Sequence, residues 1–197
     1  MVLSDGYHDV PAGKIASVVT SLSMTAAAPR RPDPAMAPWR LERIEQPQPE
    51  AYRSLFRRVG QDWLWFSRLK LPDAALQAII HDPNVAVYHL VADGAEAGLL
   101  ELDFRDAGIC ELSFFGVVPE TIGTGAGRWL MNRALDLAWS RPISQFWVHT
   151  CTLDHPAALD FYIRSGFRPF RRQIEIVDDP RLSGVIAPDA AAHIPRI

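Results

Sequence analysis

Apolar positions in this chain fall into short blocks, and the period of each block predicts an element. Trp39 to Ile44 alternates as a strand does. Pro49 to Val59 places Leu55, Phe56 and Val59 on one helical face, with Pro49 suited to a first turn. Pro72 to His81 reads as a second helix, with Asp73 in its first turn and Ala75, Leu76, Ile79 and Ile80 as its stripe. Val85 to Ala92 and Ala97 to Phe104 are strand-like runs joined by Asp93-Gly94, a hairpin signal. Arg105 to Gly108 is a further turn, and Ile109 to Val118 a third strand of this group. After a glycine-rich turn, Trp129 to Trp139 reads as a helix with Leu130, Ala134, Leu137 and Ala138 facing inward, and Arg141-Pro142 stops it. Ile143 to Cys151 is a strand, Pro156 to Ser165 a short helix, and Phe167 to Val177 a last strand. This order predicts an α/β domain. Ile109 to Cys151 forms a strand–helix–strand unit, expected as a right-handed parallel crossover. Ligands in such sheets bind beyond the carboxyl ends of the strands, which is where the glycine turn lies.

A proline-rich stretch from Pro29 to Pro38 interrupts this pattern. It cannot continue a helix and favours an extended, semi-rigid path. The expected organisation is therefore an N-terminal arm and linker over 1–38, a domain over 39–180, and an irregular Pro- and Ala-rich tail over 181–197. Within the arm, Lys14 to Met24 has the β-branched content of one strand. Such an arm covers either its own domain or a partner subunit, and the second case would make a homodimer.

Composition narrows the function classes. The chain has 197 residues, 48% hydrophobic and 22% charged, with a net charge of −3. Those values suit one ordinary core. No basic stripe suggests nucleic acid, and no apolar run approaches the ~20 residues that cross a bilayer. Ile15 to Met24 lacks the positive flank of a secretory leader. Cys110 and Cys151 make no disulfide framework and no zinc cluster. A cytoplasmic location is expected, with no nucleic-acid and no membrane partner.

Gly123, Gly125 and Gly127 alternate between the Leu112–Val118 strand and the Trp129 helix. Glycine lets a turn tighten and lets backbone approach a ligand closely. The first N–H groups of the helix lack intrahelical partners and carry the positive end of its dipole. The construction suits a pyrophosphate. No Gly-Lys-Ser/Thr follows, so a nucleoside triphosphate is disfavoured.

Two segments carry a resemblance. Val118-Pro119-Glu120-Thr121-Ile122-Gly123-Thr124-Gly125-Ala126-Gly127-Arg128-Trp129-Leu130-Met131 resembles the CoA-binding signature of the GNAT family of acyl-CoA-dependent N-acetyltransferases. Ala158-Leu159-Asp160-Phe161-Tyr162-Ile163-Arg164-Ser165-Gly166-Phe167 resembles its later helix-and-turn signature. The resemblance runs from about Trp39 to Val177. It implies a mixed, mostly antiparallel sheet with flanking helices and a splayed parallel strand pair holding acyl-CoA. It also implies that the backbone of Phe115 to Val117 pairs with the pantetheine arm. The amides of Ile122, Gly123, Thr124, Gly125, Ala126, Gly127 and Arg128 would hold the pyrophosphate. His155 stands where the family often has a cofactor-contacting Asn. Ile122 replaces the family's usual Arg or Gln, removing a polar side chain worth ~1.5–3 kcal/mol in a charge-assisted hydrogen bond.

The implied activity is transfer of an acetyl group from acetyl-CoA to a primary amine, on a small-molecule or peptide acceptor. An amine like that of lysine has a solution pKa of about 10.4 and must lose a proton. Glu111, eleven residues before Ile122, is the candidate base, matching a family position that often holds a glutamate. Simple alternation puts Glu111, Ser113 and Phe115 on one face. Glu101 and Asp103 are alternative carboxylates. Tyr162 matches the family tyrosine near the thioester sulfur and is the candidate acid. His149, Cys151 and His155 cluster after one strand; a Cys151 nucleophile with a histidine base is a further option, and no metal site is expected. Asp62 to Arg68, rich in aromatics, would wall the acceptor pocket. The alternatives are a non-catalytic acyl-CoA-binding or scaffold module of the same fold, and an enzyme with another acyl group or acceptor.

Overall fold

A computed structural model describes residues 4–197 of the chain; the first three residues of the expected arm lie outside the described residues. Seven strands form one sheet: β1 (Lys14–Met24), β2 (Trp39–Ile44), β3 (Val85–Ala92), β4 (Ala95–Asp103), β5 (Ile109–Val117), β6 (Gln145–Cys151) and β7 (Arg168–Asp178). Four helices accompany them: α1 (Pro49–Gly60), α2 (Asp73–Ile80), α3 (Ala126–Trp139) and α4 (Ala158–Arg164). The elements follow the periodicities in the sequence to within a few residues. α3 begins three residues before the expected Trp129, because the glycine turn itself winds into the first turn of the helix.

The strand order is β2-β3-β4-β5-β6-β1-β7. Neighbouring strands are antiparallel except β5 and β6, which run parallel. That parallel ladder covers only Ile109–Glu111 against Gln145–Trp147. Beyond it the two strands part.

Within the segment that composition sets apart as an arm, β1 belongs to the sheet interior. β1 pairs with β6 on one side and β7 on the other. The boundary near residue 38 is therefore one of composition and not of packing. β1 and β2 are five strand positions apart, at least ~24 Å at a spacing of ~4.8 Å. Residues 25–38 cover ~43 Å in an extended proline-rich conformation at ~3.1 Å per residue. The segment uses this length to pass along α3. Asn132 Nδ2 donates to Arg31 O at 2.8 Å and to Asp33 Oδ1 at 2.6 Å, and Arg133 pairs with Asp33 at 2.8 Å. Trp39 packs against Trp129 with ring centroids 6.1 Å apart. This cover explains why α3 buries Trp129, Met131 and Leu135 as well as Leu130, Ala134 and Ala138 of its expected inner stripe, whereas Leu137 is only half-buried.

α1 and α3 both pack on β4, which is buried on both faces from Ala97 to Asp103. Tyr52 of α1 donates to Glu101 at 2.5 Å, so α1 holds the Glu101 face and α3 the Leu100 and Leu102 face. Glu101 is 0% exposed and also accepts from Arg68 Nη2 at 2.5 Å. Burial and the Glu101 carboxylate push the Tyr52 hydroxyl well above its usual range. Asp103 is engaged by Arg105 through both its oxygens. Neither alternative carboxylate lines the cavity described below.

β7 is the exposed edge of the sheet. Pro169, the bulge between its Arg171 and Pro169 pairings to β1, and three arginines at Arg168, Arg171 and Arg172 blunt that edge against a further strand. The tail beyond Asp178 has no helix or strand. It is nevertheless anchored, since the buried Arg181 pairs with Asp179 at 2.7 Å and donates to the carbonyls of Ala190, Ala191 and Ile194.

Candidate active site

Where β5 and β6 part, a cavity of about 850 Å³ opens. This lies within the range of small-molecule and cofactor sites. One wall is β5 from Leu112 to Val117. The pairing of Phe115, Gly116 and Val117 with β4 uses one edge of β5, and the ladder to β6 has already ended at Glu111. Their other edge therefore carries backbone groups without a strand partner.

The glycine turn forms one end of the cavity. Gly123 and Gly125 have φ of +84° and +97°, conformations that only glycine adopts without strain. Gly125 is doubly constrained, because a Cβ there would come within 2.8 Å of Pro34 Cγ. Thr124 Oγ1 donates to Thr121 O at 2.7 Å and accepts from the Ala126 N–H at 3.3 Å, closing the turn. The N–H groups of Gly123, Gly125, Gly127 and Arg128 find no acceptor among the described residues. Arg128 Nε is buried, also without one. Free amides at a helix N-terminus, beside an arginine whose Nε lacks an acceptor, are an arrangement that suits an anion.

Phe115, Val117, Ile122, Gly123, Thr124, Gly125, Gly127, Arg128, His155 and Tyr162 all line this cavity, whereas Ala126 and Glu111 do not. Ala126 is fully buried and borders the site through its backbone. Ile122 is 43% exposed, an apolar side chain at the glycine turn.

The face assignment of β5 differs from simple alternation. Leu102 pairs with Leu112 and Glu101 with Phe114, so Ser113 is left over as a bulge. A bulge shifts the phase of every following side chain. Glu111, opposite Asp103, shares a face with Phe114, opposite Glu101; Phe115, opposite Leu100, points the other way. Phe114 accordingly packs on Phe56 and Trp65, 4.7 and 5.4 Å between centroids, with the Arg68 guanidinium 4.9 Å from its ring. Phe115 packs on Phe161 and Tyr162 of α4. The bulge thus presents aromatic rings to both sides of the cleft.

Glu111 stands at the vertex where the strands part. Its Oε1 lies 3.6 Å from His149 Nδ1, and His149 does line the cavity. The Glu111 carboxylate outweighs partial burial and holds the His149 imidazole above its ordinary value. A carboxylate at Nδ1 favours the tautomer with its proton there, leaving Nε2 as an acceptor. His155 has the opposite arrangement. Its Nδ1 accepts the Ala157 N–H at 3.1 Å, so its neutral form carries the proton on Nε2 and can donate. Its ring meets Trp63 edge-on at 5.1 Å.

Tyr162 is 7% exposed and its ring is held by Phe115, Phe161 and Phe167. Its hydroxyl has no hydrogen-bond partner among the described residues. Burial and the nearby Asp154 charge push its pKa up, so it stays protonated throughout the neutral range. Asp154 had no signal in the sequence. It accepts from Trp65 Nε1 at 3.1 Å, Thr150 Oγ1 at 2.8 Å and the Cys151 N–H at 2.8 Å, and so ties the aromatic wall to the end of β6. Trp63, Leu64, Trp65, Phe66 and Ser67 line the cavity as that wall. Arg31 and Arg164 line it too; Arg31 comes from the linker, where nothing in the sequence marks it.

Cys151 is a poor nucleophile here. Burial pushes its thiol up to about 11, and the Cys110 thiol higher still. Both should react slowly with iodoacetamide at pH 7.5 in the native protein and rapidly after unfolding. A fast native phase, read by mass spectrometry, would contradict this. No group of three or more His, Cys, Asp or Glu side chains suited to a metal occurs among the described residues.

Residues 41–167 match the Acetyltransferase (GNAT) family. A search of curated protein sequences finds no match. Among solved structures, a GCN5-related N-acetyltransferase from Sphaerobacter thermophilus aligns with a TM-score of 0.63 at 14% identity, over 88% of this chain and 53% of that one. A putative GNAT acetyltransferase from Novosphingobium aromaticivorans aligns at 0.57 and 16% identity, over 85% and 67%. The ribosomal-protein-S18-alanine N-acetyltransferase of Escherichia coli aligns at 0.55 and 16% identity, over 70% and 90%. The chain thus spans little more than half of the Sphaerobacter protein and about two thirds of the Novosphingobium one. At these identities the structures speak for the fold, while the sequence match covers well over half the chain and includes both the glycine turn and the Tyr162 helix: the protein belongs to the GNAT acetyltransferase family.

Proposed function

We propose that this protein moves an acetyl group from acetyl-CoA to a primary amine by direct attack in a ternary complex. The observation that carries the reading is one cavity that joins the free-amide cradle, the unpaired edge of β5 and the unpartnered Tyr162 hydroxyl. The cradle amides would hold the pyrophosphate, the β5 edge the pantetheine arm, and His155 Nε2–H a group on that arm. The acyl donor supplies the activated thioester carbonyl.

On the acceptor side, aromatic rings at Trp63, Trp65 and Phe66 and carboxylates at Asp154 and Glu175 border the same cavity. Such walls attract a cationic amine. As a C–N bond forms and the C–S bond breaks, the amine proton leaves to His149, backed by Glu111, and Tyr162 gives its proton to the departing thiolate. Glu111 then orients the base and tunes it without touching the acceptor, as the carboxylate does in other carboxylate–imidazole pairs. Two free thiols fit a reducing cytoplasm.

The base must be neutral to act. Because Glu111 raises the His149 pKa, kcat/KM should rise with pH through an ionisation above the ordinary histidine value of ~6.5. Glu111→Gln should shift that ionisation downward and lower the plateau. An unshifted profile in Glu111→Gln excludes the pair. The reading as a whole is tested by thiol release from acetyl-CoA across a panel of amines, with calorimetric CoA binding alongside. Binding without turnover on any amine favours a non-catalytic acyl-CoA-binding module, which the apolar Ile122 at the cradle would suit. Failure of both overturns the reading.

A further inference from the structure

We propose that Arg31 is the cation that meets the CoA phosphates in the place left apolar by Ile122. The inference rests on the acetyl-CoA reading and deepens it. The match to the family begins at residue 41, so this contact comes from outside the family's own segment.

Arg31 lines the cavity together with Ile122, Gly123, Gly125, Gly127 and Arg128. Its position there is built in at several points. Its carbonyl accepts from Asn132 Nδ2 at 2.8 Å, and Asn132 also grips Asp33 at 2.6 Å. On either side, Arg30 pairs with Asp136 at 3.2 Å and Asp33 with Arg133 at 2.8 Å. Pro34 abuts Gly125 of the turn. The nearest charged residues on either side of Arg31, Arg30 and Asp33, are thus committed to side chains of α3.

Arg31 differs from them. Its guanidinium has no carboxylate partner among the described residues. A guanidinium lining the same cavity as four free amides adds the bidentate, charge-assisted donors that an uncharged turn lacks. The buried, unpartnered Arg128 Nε at the same end of the cavity independently marks it as awaiting acceptors. The proline-rich segment therefore does more than connect β1 to β2. It carries a cationic side chain to a cavity whose turn has the apolar Ile122 at its first position.

The test is calorimetric titration of the full chain with CoA and with pantetheine, which lacks the nucleotide phosphates. A charge-assisted hydrogen bond of ~1.5–3 kcal/mol corresponds to roughly tenfold to a hundredfold in affinity. Arg31→Ala should weaken CoA by that factor and leave pantetheine unchanged. Arg31→Lys should retain part of the affinity. Arg31→Ala with Ile122→Arg should regain most of it, since the second change returns a cation to the same end of the cavity. Wild-type affinity for CoA in Arg31→Ala overturns the inference, as does equal weakening of CoA and pantetheine, which would assign the segment a role in shape alone. If the wild-type chain binds no CoA, the acetyl-CoA reading itself fails. An unchanged melting temperature in Arg31→Ala confirms that the anchored backbone persists.

Discussion

Replacing Tyr162 with Phe should lower kcat by ~10²–10⁴-fold, the usual worth of a positioned general acid, while CoA binding stays as it was. The substitution removes one oxygen and keeps the ring that Phe115, Phe161 and Phe167 hold. Nothing in the protein among the described residues uses the hydroxyl, so its loss leaves no buried donor or acceptor stranded. The effect should therefore appear in chemistry and not in stability. The sign of the pH dependence follows from burial, which raises the pKa above the ordinary ~10. Tyr162 keeps its proton through pH 6–9 and contributes no alkaline limb in that window. Any ionisation seen there belongs to a group other than Tyr162. Single-turnover measurement of thiol release separates the chemical step from product release. Equal rates for wild type and Tyr162→Phe would remove Tyr162 from the mechanism.

Removing Arg68 should cost stability on a comparable scale. Arg68→Met leaves Glu101, which is 0% exposed, with Tyr52 as its remaining side-chain donor. Breaking a buried ion pair by deleting one partner typically costs about 3–5 kcal/mol. For a chain of this length that is a fall in melting temperature of roughly 6–20 °C. The native network is itself imperfect, since the buried Arg68 Nε has no acceptor. Replacing both charges, as Arg68→Met with Glu101→Gln, should therefore recover part of the loss, because the neutral amide still accepts from Tyr52 and costs less to bury than an unpaired carboxylate. Thermal melts of the wild type, both single variants and the double variant measure the coupling. A double variant as unstable as Arg68→Met would show that the damage comes from packing against Phe114 and not from the stranded carboxylate.

These two predictions draw on residues of different legibility. Tyr162 was readable because α4 and the following Gly166-Phe167 form a local pattern. The glycine turn was readable for the same reason, and its geometry, with φ of +84° and +97° at alternate glycines, is what such spacing requires. Arg68 and Glu101 were visible only as residues, an arginine after an aromatic run and an alternative carboxylate. Their burial together, 33 residues apart in sequence, depends on α1 and the turns after it folding onto β4. Glu111 was legible as a carboxylate on the strand before the turn. That it faces His149 across the β5–β6 vertex was not, because cross-strand neighbours are chosen by register. The Ser113 bulge was equally hidden, since an extra residue in a ladder is defined by the partner strand, and it moved Phe115 away from the face that alternation assigned.

By itself, then, the sequence determined what depends on neighbours along the chain. Strands, helices, the hairpin at Asp93-Gly94, the glycine turn and the order of the two family-like segments all arise from backbone preference and side-chain period over a few residues. Tertiary structure alone decided that β1 lies between β6 and β7, that the linker runs along α3, and that Arg31 lines the cavity. It also decided that Asp154 ties the aromatic wall to β6. Each of these is set by hydrogen bonds, ion pairs and buried area between segments distant in sequence, and local periodicity carries no record of which distant segment completes them.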